Sequence, residues 1–104
     1  MSSYRLTPQA QAGLSDILKD VEARFGVDVA IEVLDRIGGA FQLIADTPQI
    51  GHRREDITPL EYVSFWHVGP TLIAYQVGRS GVEILFVERG ERDWAGFTED
   101  GPKS

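Results

Sequence analysis

The sequence has 104 residues, no cysteine, and a formal net charge of −6 from 10 Lys+Arg and 16 Asp+Glu. This length suits one domain, which we expect over residues 1–104 with a polar tail from about residue 95. The missing cysteine excludes disulfide bonds, thiol catalysis and cysteine-ligated zinc. Because the acidic residues are spread evenly along the chain, the charge argues against direct binding to a nucleic-acid backbone.

The hydropathy pattern contains no membrane segment. No apolar run approaches the ~20 residues that a spanning helix needs, and the N-terminus lacks the pattern of a signal peptide. We therefore expect a cytoplasmic protein without a membrane partner.

A short strand and an amphipathic helix are predicted at the start of the chain. Residues 4–6 are expected to join the edge of a sheet, Thr7 can cap the helix, and Pro8 suits its first turn. Apolar residues then recur at helical spacing: Leu14, Ile17, Leu18, Val21 and Phe25. We expect Gly26 to end this helix with a left-handed backbone conformation.

A second helix follows at once, with Asp28 as its expected cap. Its apolar stripe consists of Ala30, Val33, Leu34, Ile37, Phe41 and Ile44. The pair Gly38-Gly39 costs about 1 kcal/mol per residue relative to alanine, which indicates either a close helix crossing or bend, or a hinge or docking point. The helix should end before Pro48. The two helices predict an antiparallel hairpin.

Three strands are predicted in the second half, after a turn-rich connector at residues 46–60. Residues 62–68, 71–77 and 82–87 are rich in β-favouring side chains, with turns between them. On the last strand the alternation places Val82, Ile84 and Phe86 on one face. The order predicts an α+β fold, βααβββ, in which an antiparallel sheet packs against the N-terminal helical hairpin.

The residues that could carry chemistry form no catalytic pattern. His52 and His67 lack the spacing of metal ligands, so neither a metal ion nor a cofactor is predicted. RNA cleavage would need a base, an acid and positive charge at the phosphate. The candidates are Arg53, Arg54, Arg89 and Arg92 with the hydroxyls of Tyr62 and Tyr75. Neighbouring carboxylates offset these arginines, so no catalytic residue is assigned.

The aromatic residues suggest a protein interface. Phe65 and Trp66 are neighbours on a strand and must face opposite sides of the sheet. Trp94 and Phe97 follow the last strand, where they either cover the sheet or contribute to an interface, since aromatic anchors dominate binding energy.

Four segments together resemble a known family. They are Tyr4-Arg5-Leu6-Thr7-Pro8-Gln9-Ala10, Pro48-Gln49-Ile50-Gly51, and the stretches 68–77 and 82–93. Their order and spacing resemble the ParE-type toxins of the RelE/ParE superfamily of type II toxin–antitoxin modules, over about residues 4–94. The resemblance implies a RelE/ParE-like fold, which agrees with the predicted βααβββ order.

The resemblance implies a toxin, associated with plasmid stabilisation, that a ParD-like antitoxin neutralises in a hetero-oligomer. ParE members inhibit DNA gyrase, whereas RelE members cleave messenger RNA on the ribosome. In the family's sheet, arginines are usual at positions that correspond here to the stretch 61–63 and to Phe86, and this sequence has no arginine at any of them. At the position of a usual histidine, this sequence has Arg89. This favours a non-enzymatic gyrase inhibitor. A ribosome-dependent endoribonuclease and a degenerate toxin that only binds antitoxin stay open.

Two sets of contact residues follow from the resemblance and from the exposed positions of the predicted elements. The gyrase-contacting set is Arg53, Arg54, Arg89, Arg92, Asp93 and Trp94. The antitoxin-contacting set is Phe65 and Trp66 on the sheet with Leu14, Leu18 and Phe41 on the hairpin.

Overall fold

The computed structural model describes residues 3–89. The elements are β1 (Tyr4–Leu6), α1 (Pro8–Phe25), α2 (Val27–Asp46), a 3₁₀ turn (Pro48–Ile50), β2 (Ser64–Val68), β3 (Thr71–Gly78) and β4 (Gly81–Arg89). This order confirms the predicted α+β fold. No helix within residues 3–89 is long and apolar enough to cross a membrane.

The four strands form one sheet in the order β1-β4-β3-β2. The pairs β2–β3 and β3–β4 are antiparallel, as the short turns between them predict. Strand β1 joins the sheet edge, as expected, but it runs parallel to β4, with Tyr4 opposite Val82 and Leu6 opposite Ile84. The sheet is therefore mixed rather than purely antiparallel. The direction of β1 is set by the packing of the long helical connection, which no local turn signal reveals.

Thr7 both starts α1 and attaches it to the sheet. Its Oγ1 accepts a hydrogen bond from the Ala10 N–H at 3.1 Å, which confirms the predicted cap. The same hydroxyl donates to the carbonyl oxygen of Leu85 at 3.0 Å, and the Thr7 N–H donates to the carbonyl of Ile84 at 3.0 Å. One short side chain therefore satisfies a free amide of the helix and a carbonyl of β4.

A β-bulge at Leu85 changes which side chains of β4 face the helices. Ala74 lies opposite Phe86 while Tyr75 lies opposite Ile84, so Leu85 is an extra residue in the ladder. Val87 consequently packs in the core under the helices, whereas Phe86 packs on the other face of the sheet. The predicted alternation is thus wrong beyond Ile84, because strict period-two counting cannot detect an inserted residue.

The molecule has two apolar cores, one on each face of the sheet. The larger core lies between the hairpin and the sheet and contains residues such as Ile17, Ile37, Phe41 and Tyr75. The smaller core is Ile57, Val63, Phe65, Leu72, Ala74 and Phe86. The connector between α2 and β2 supplies Ile57 and Val63, so this loop covers the second face and buries β3 on both sides.

The hairpin turn differs from its sequence prediction. Gly26 has φ 97° and ψ 171°, which is a positive φ without the left-handed helical ψ, and α2 starts at the next residue. Asp28 therefore lies inside the first turn of α2 and makes no cap, although its charge there suits the helix dipole.

The apolar stripes of the hairpin are narrower than predicted. Phe25 is 60% exposed and Leu34 is 42% exposed, because Phe25 ends α1 beside the turn and Leu34 lies at the margin of the buried arc of α2. Among residues 3–89, no atom outside the neighbouring backbone of α2 lies within 4 Å of a Cβ built at Gly38 or Gly39. A close helix crossing within this described part of the chain therefore does not explain the two glycines.

Gly13 provides a test of how tightly α1 packs on β4. A Cβ built at Gly13 would collide with the carbonyl oxygen of Val87, so we expect Gly13→Ala to lower the free energy of unfolding by about 1–3 kcal/mol. Gly39→Ala, in open space on α2, is the matched control and should raise it by about 1 kcal/mol. Urea unfolding followed by circular dichroism measures both. Equal effects would contradict the close α1–β4 contact.

Candidate functional site

A buried tyrosine anchors the loop that carries two of the predicted contact arginines. Tyr75 is fully buried on β3. Its hydroxyl donates to the carbonyl oxygen of Pro48 at 2.6 Å and accepts from the N–H of Gly51 at 2.9 Å. A Cβ at Gly51 would overlap this hydroxyl. The Pro48–Gly51 segment and the strand tyrosine, separate in sequence, thus form one structural unit, which we call the tyrosine latch.

The environment of the latch keeps the phenol protonated. Burial raises the pKa of Tyr75 above its ordinary value of 10.0, and the hydrogen bond from the Gly51 N–H opposes this only in part. The hydroxyl is therefore a neutral structural group that both donates and accepts, and it is not available to an RNA hydroxyl.

The loop beyond the latch carries Arg53 and Arg54, each paired with an acid. Arg54 makes a two-point contact with Asp56, with Nε–Oδ1 at 2.9 Å and Nη2–Oδ2 at 2.7 Å. The Arg54 guanidinium holds the pKa of Asp56 below its ordinary value of 3.8 through this hydrogen bonding. Arg53 lies 3.3 Å from the carboxylate of Glu55. The loop therefore presents an ordered, charge-compensated surface rather than a free positive patch.

Arg89 lies apart from this loop, at the end of β4. It contacts Asp20 of α1 at 3.4 Å, and Asp20 also pairs with Arg24 at 3.0 Å. These groups border an open cavity of about 550 Å³ that Asp16 and Glu88 also line. Arg53 and Arg54 follow His52, whose backbone pairs with Phe65 of β2, and β3 separates β2 from β4. The structure therefore does not bring these two arginines together with Arg89. Arg92, Asp93 and Trp94 lie outside the described residues.

Two of the predicted antitoxin-contacting side chains are interior residues. Phe41 is 2% exposed and Phe65 is 1% exposed, so their placement on an outer surface was wrong. Phe41 lies within the buried arc of α2, and Phe65 fills the small core that the connector creates. Leu14, Leu18 and Trp66 are only partly buried. The ring of Trp66 stacks on that of His52, with centroids 6.1 Å apart.

The hairpin carries an exposed apolar surface that the sequence analysis missed. Val27 is 55% exposed and Ile31 is 52% exposed, and with Leu18 and Leu34 they line a groove of about 270 Å³ between the helices. We call these four residues the hairpin crease. Val27, Ile31 and Leu34 follow one another at i, i+4 and i+7 and form a second apolar row that shares Leu34 with the predicted stripe. This spacing is the signal that could have revealed the crease.

No catalytic arrangement is evident in the part of the chain that the structure describes. Within residues 3–89 there is no group of three or more histidine, aspartate or glutamate side chains that could hold a metal ion. The backbone of His52 pairs with that of Phe65, and its ring contacts Trp66 rather than a nucleophile.

The variant Tyr75→Phe tests the latch. It removes the donor to Pro48 and the acceptor for Gly51, so we expect the free energy of unfolding to fall by about 1–3 kcal/mol. Amide hydrogen exchange at Gly51 should accelerate, which locates the effect in the loop. Unchanged stability together with unchanged exchange at Gly51 would contradict the latch.

Alkaline unfolding gives the same variant a second readout. Burial raises the pKa of Tyr75 in the folded state. The stability that its neutral phenol contributes is therefore fully present at pH values below the ordinary pKa of tyrosine, and it is lost as the pH rises through the folded-state pKa. The wild-type protein should therefore lose more stability above about pH 10 than Tyr75→Phe does. Parallel pH profiles of the two proteins would exclude burial of the neutral phenol.

Comparisons with known proteins agree with this geometry. The family model described as "ParE toxin of type II toxin-antitoxin system, parDE" matches residues 4–94. Among solved structures, the chain is similar to the "Chromosomal ParDE TA system from P. aeruginosa", with a TM-score of 0.73 at 20% sequence identity, over 88% of this chain and 98% of that chain. At this identity the structural similarity shows the fold alone. No curated protein matches the sequence significantly. Because the family model spans most of the sequence, the chain belongs to the ParE toxin family of type II toxin–antitoxin systems.

Proposed function

We propose that this ParE-type toxin acts in the cytoplasm by binding DNA gyrase, without catalysis, and that a ParD-like antitoxin neutralises it in a hetero-oligomer. The pairing of its arginines with carboxylates is the observation that favours gyrase binding over RNA cleavage within the superfamily. Arg53, Arg54 and Arg89 each contact a carboxylate, so little uncompensated charge is directed at a phosphate. Such paired arginines remain good anchors for a protein surface, where arginine is enriched among residues that dominate binding.

The hairpin crease is the surface that we assign to the antitoxin. Val27, Ile31 and Leu34 of the crease are exposed aliphatic side chains, and such apolar patches mark interaction sites. A groove between two helices suits an amphipathic helix of a partner, whose apolar anchors would contact Ile31 and Leu34. Leu18 is the one residue of the predicted antitoxin set that lies in this groove.

The crease can be tested with aspartate substitutions. Ile31→Asp and Leu34→Asp place a carboxylate in the proposed interface, so we expect each to weaken antitoxin binding at least roughly tenfold. Val77→Asp is the matched control, since Val77 is a 63% exposed aliphatic residue at the far end of β3. Isothermal titration calorimetry with the antitoxin encoded beside the toxin measures the affinities. An equal loss for all three variants, or no loss for the crease variants, would reject this assignment.

Gyrase inhibition is tested with the purified chain in a supercoiling assay. We expect inhibition by the wild-type protein, and roughly tenfold weaker inhibition by Arg53→Ala and Arg89→Ala. Arg5→Ala is the matched control, because it also removes an exposed arginine and one surface ion pair, with Glu83 at 3.0 Å. Failure of the wild-type protein to inhibit at micromolar concentration would count against gyrase as the target.

Induction of the toxin in cells distinguishes gyrase inhibition from the two alternatives, an endoribonuclease and a degenerate toxin. The proposal predicts growth arrest with DNA-damage signalling and intact messenger RNA. New RNA ends within codons would instead establish endoribonuclease activity. Normal growth together with tight antitoxin binding would identify a degenerate toxin.

A further inference from the structure

A second apolar depression, which we call the hairpin–sheet groove, lies between the two helices and the β2–β3 turn. It has a volume of about 220 Å³, and its apolar lining includes Phe25, Val29, Val33, Val68 and Pro70. Phe25 is 60% exposed and Val29 is 36% exposed, so the groove is open to a ligand. It is smaller than typical small-molecule sites, which span roughly 300–1,000 Å³, and suits one large side chain of a peptide.

Two arginines lie on the rim of the groove. Arg36 lines it from α2 and Arg89 lines it from the end of β4. Arg89 shares the carboxylate of Asp20 with Arg24. Among the described residues, Arg36 makes no ion pair and no side-chain hydrogen bond. An aromatic or aliphatic peptide with acidic residues beside its anchor is therefore the complementary ligand.

The chain itself contains such a peptide directly after Arg89. Residues 90–104 include two large aromatic residues, Trp94 and Phe97, and four acidic residues: Glu91, Asp93, Glu99 and Asp100. Arg92 and Lys103 are the only basic residues in this stretch, so its net charge is negative. Trp94 is five residues beyond a residue that lines the groove, which allows a reach of up to about 17 Å.

We propose that the C-terminal segment of this chain docks in its own hairpin–sheet groove, with Trp94 as the apolar anchor and acidic neighbours facing Arg36 and Arg89. Covalent attachment favours this occupant, because a short tether gives an effective concentration on the order of millimolar. Docking covers an exposed apolar surface. The docking itself does not depend on which target the toxin has.

Fluorescence of Trp94 tests the proposal in the full-length chain. With Trp66→Phe, Trp94 is the only tryptophan, and docking predicts blue-shifted emission and protection from acrylamide. Adding Val29→Asp places a carboxylate in the groove and should shift the docking equilibrium roughly tenfold toward the open state, with red-shifted emission and stronger quenching. Ile31→Asp is the control on the same helix, because it faces the crease and should leave Trp94 unchanged. Solvent-exposed emission in the parent, or equal effects of both aspartates, would overturn the proposal.

A spin label provides a second measurement that leaves Trp66 intact. Because the chain has no cysteine, Thr98→Cys creates a unique site for a nitroxide. Docking predicts paramagnetic broadening of the Val29 and Val33 amides and little broadening at Val77. Arg36→Glu should reduce that broadening, and added salt should do so too. Broadening that disappears on dilution with unlabelled protein would identify a second copy as the occupant. Absence of broadening in the groove would exclude any docked tail.

Discussion

The close packing of α1 against the backbone of β4 is the contact on which the rest of the molecule depends. Gly13 allows it, because any side chain there would meet the Val87 carbonyl. Thr7 fixes it by bonding the carbonyl of Leu85, the bulged residue of β4. The bulge places Val87 under the helix and turns Phe86 to the opposite face. The bulge thus contributes Val87 to one core and Phe86 to the other. Between these two cores, β3 is buried on both faces.

Burial of β3 determines how the loop between α2 and β2 is held. Tyr75 lies on this strand, and its buried hydroxyl bonds to backbone groups that the loop brings over it. Pro48 and Gly51 provide an acceptor and a donor, and a little further along the chain Ile57 and Val63 close the second core. The loop with Arg53 and Arg54 is consequently anchored at both ends by the interior of the protein. Residues that hold the fold together thus also position the surface proposed to contact a target.

The surfaces available to partners are what the two cores leave exposed. The side chains of Phe41 and Phe65 are buried in the two cores and cannot contact a partner. Two apolar surfaces suited to binding are the hairpin crease and the hairpin–sheet groove. They lie on different sides of the hairpin. Under the two proposals, the antitoxin and the C-terminal segment would therefore occupy separate sites.

The sequence by itself determined the order of elements, the cap at Thr7, the antiparallel pairing of β3 with both β2 and β4, and the family, because these depend on local propensity, short turns and motif spacing. Only the tertiary structure decided the parallel direction of β1, the reversal at Leu85, the exposure of Leu34 and the burial of Phe41 and Phe65. Each of these depends on which surfaces meet across long sequence separations. Periodicity shows that a side chain is apolar, but only packing decides whether it fills a core or remains on the surface.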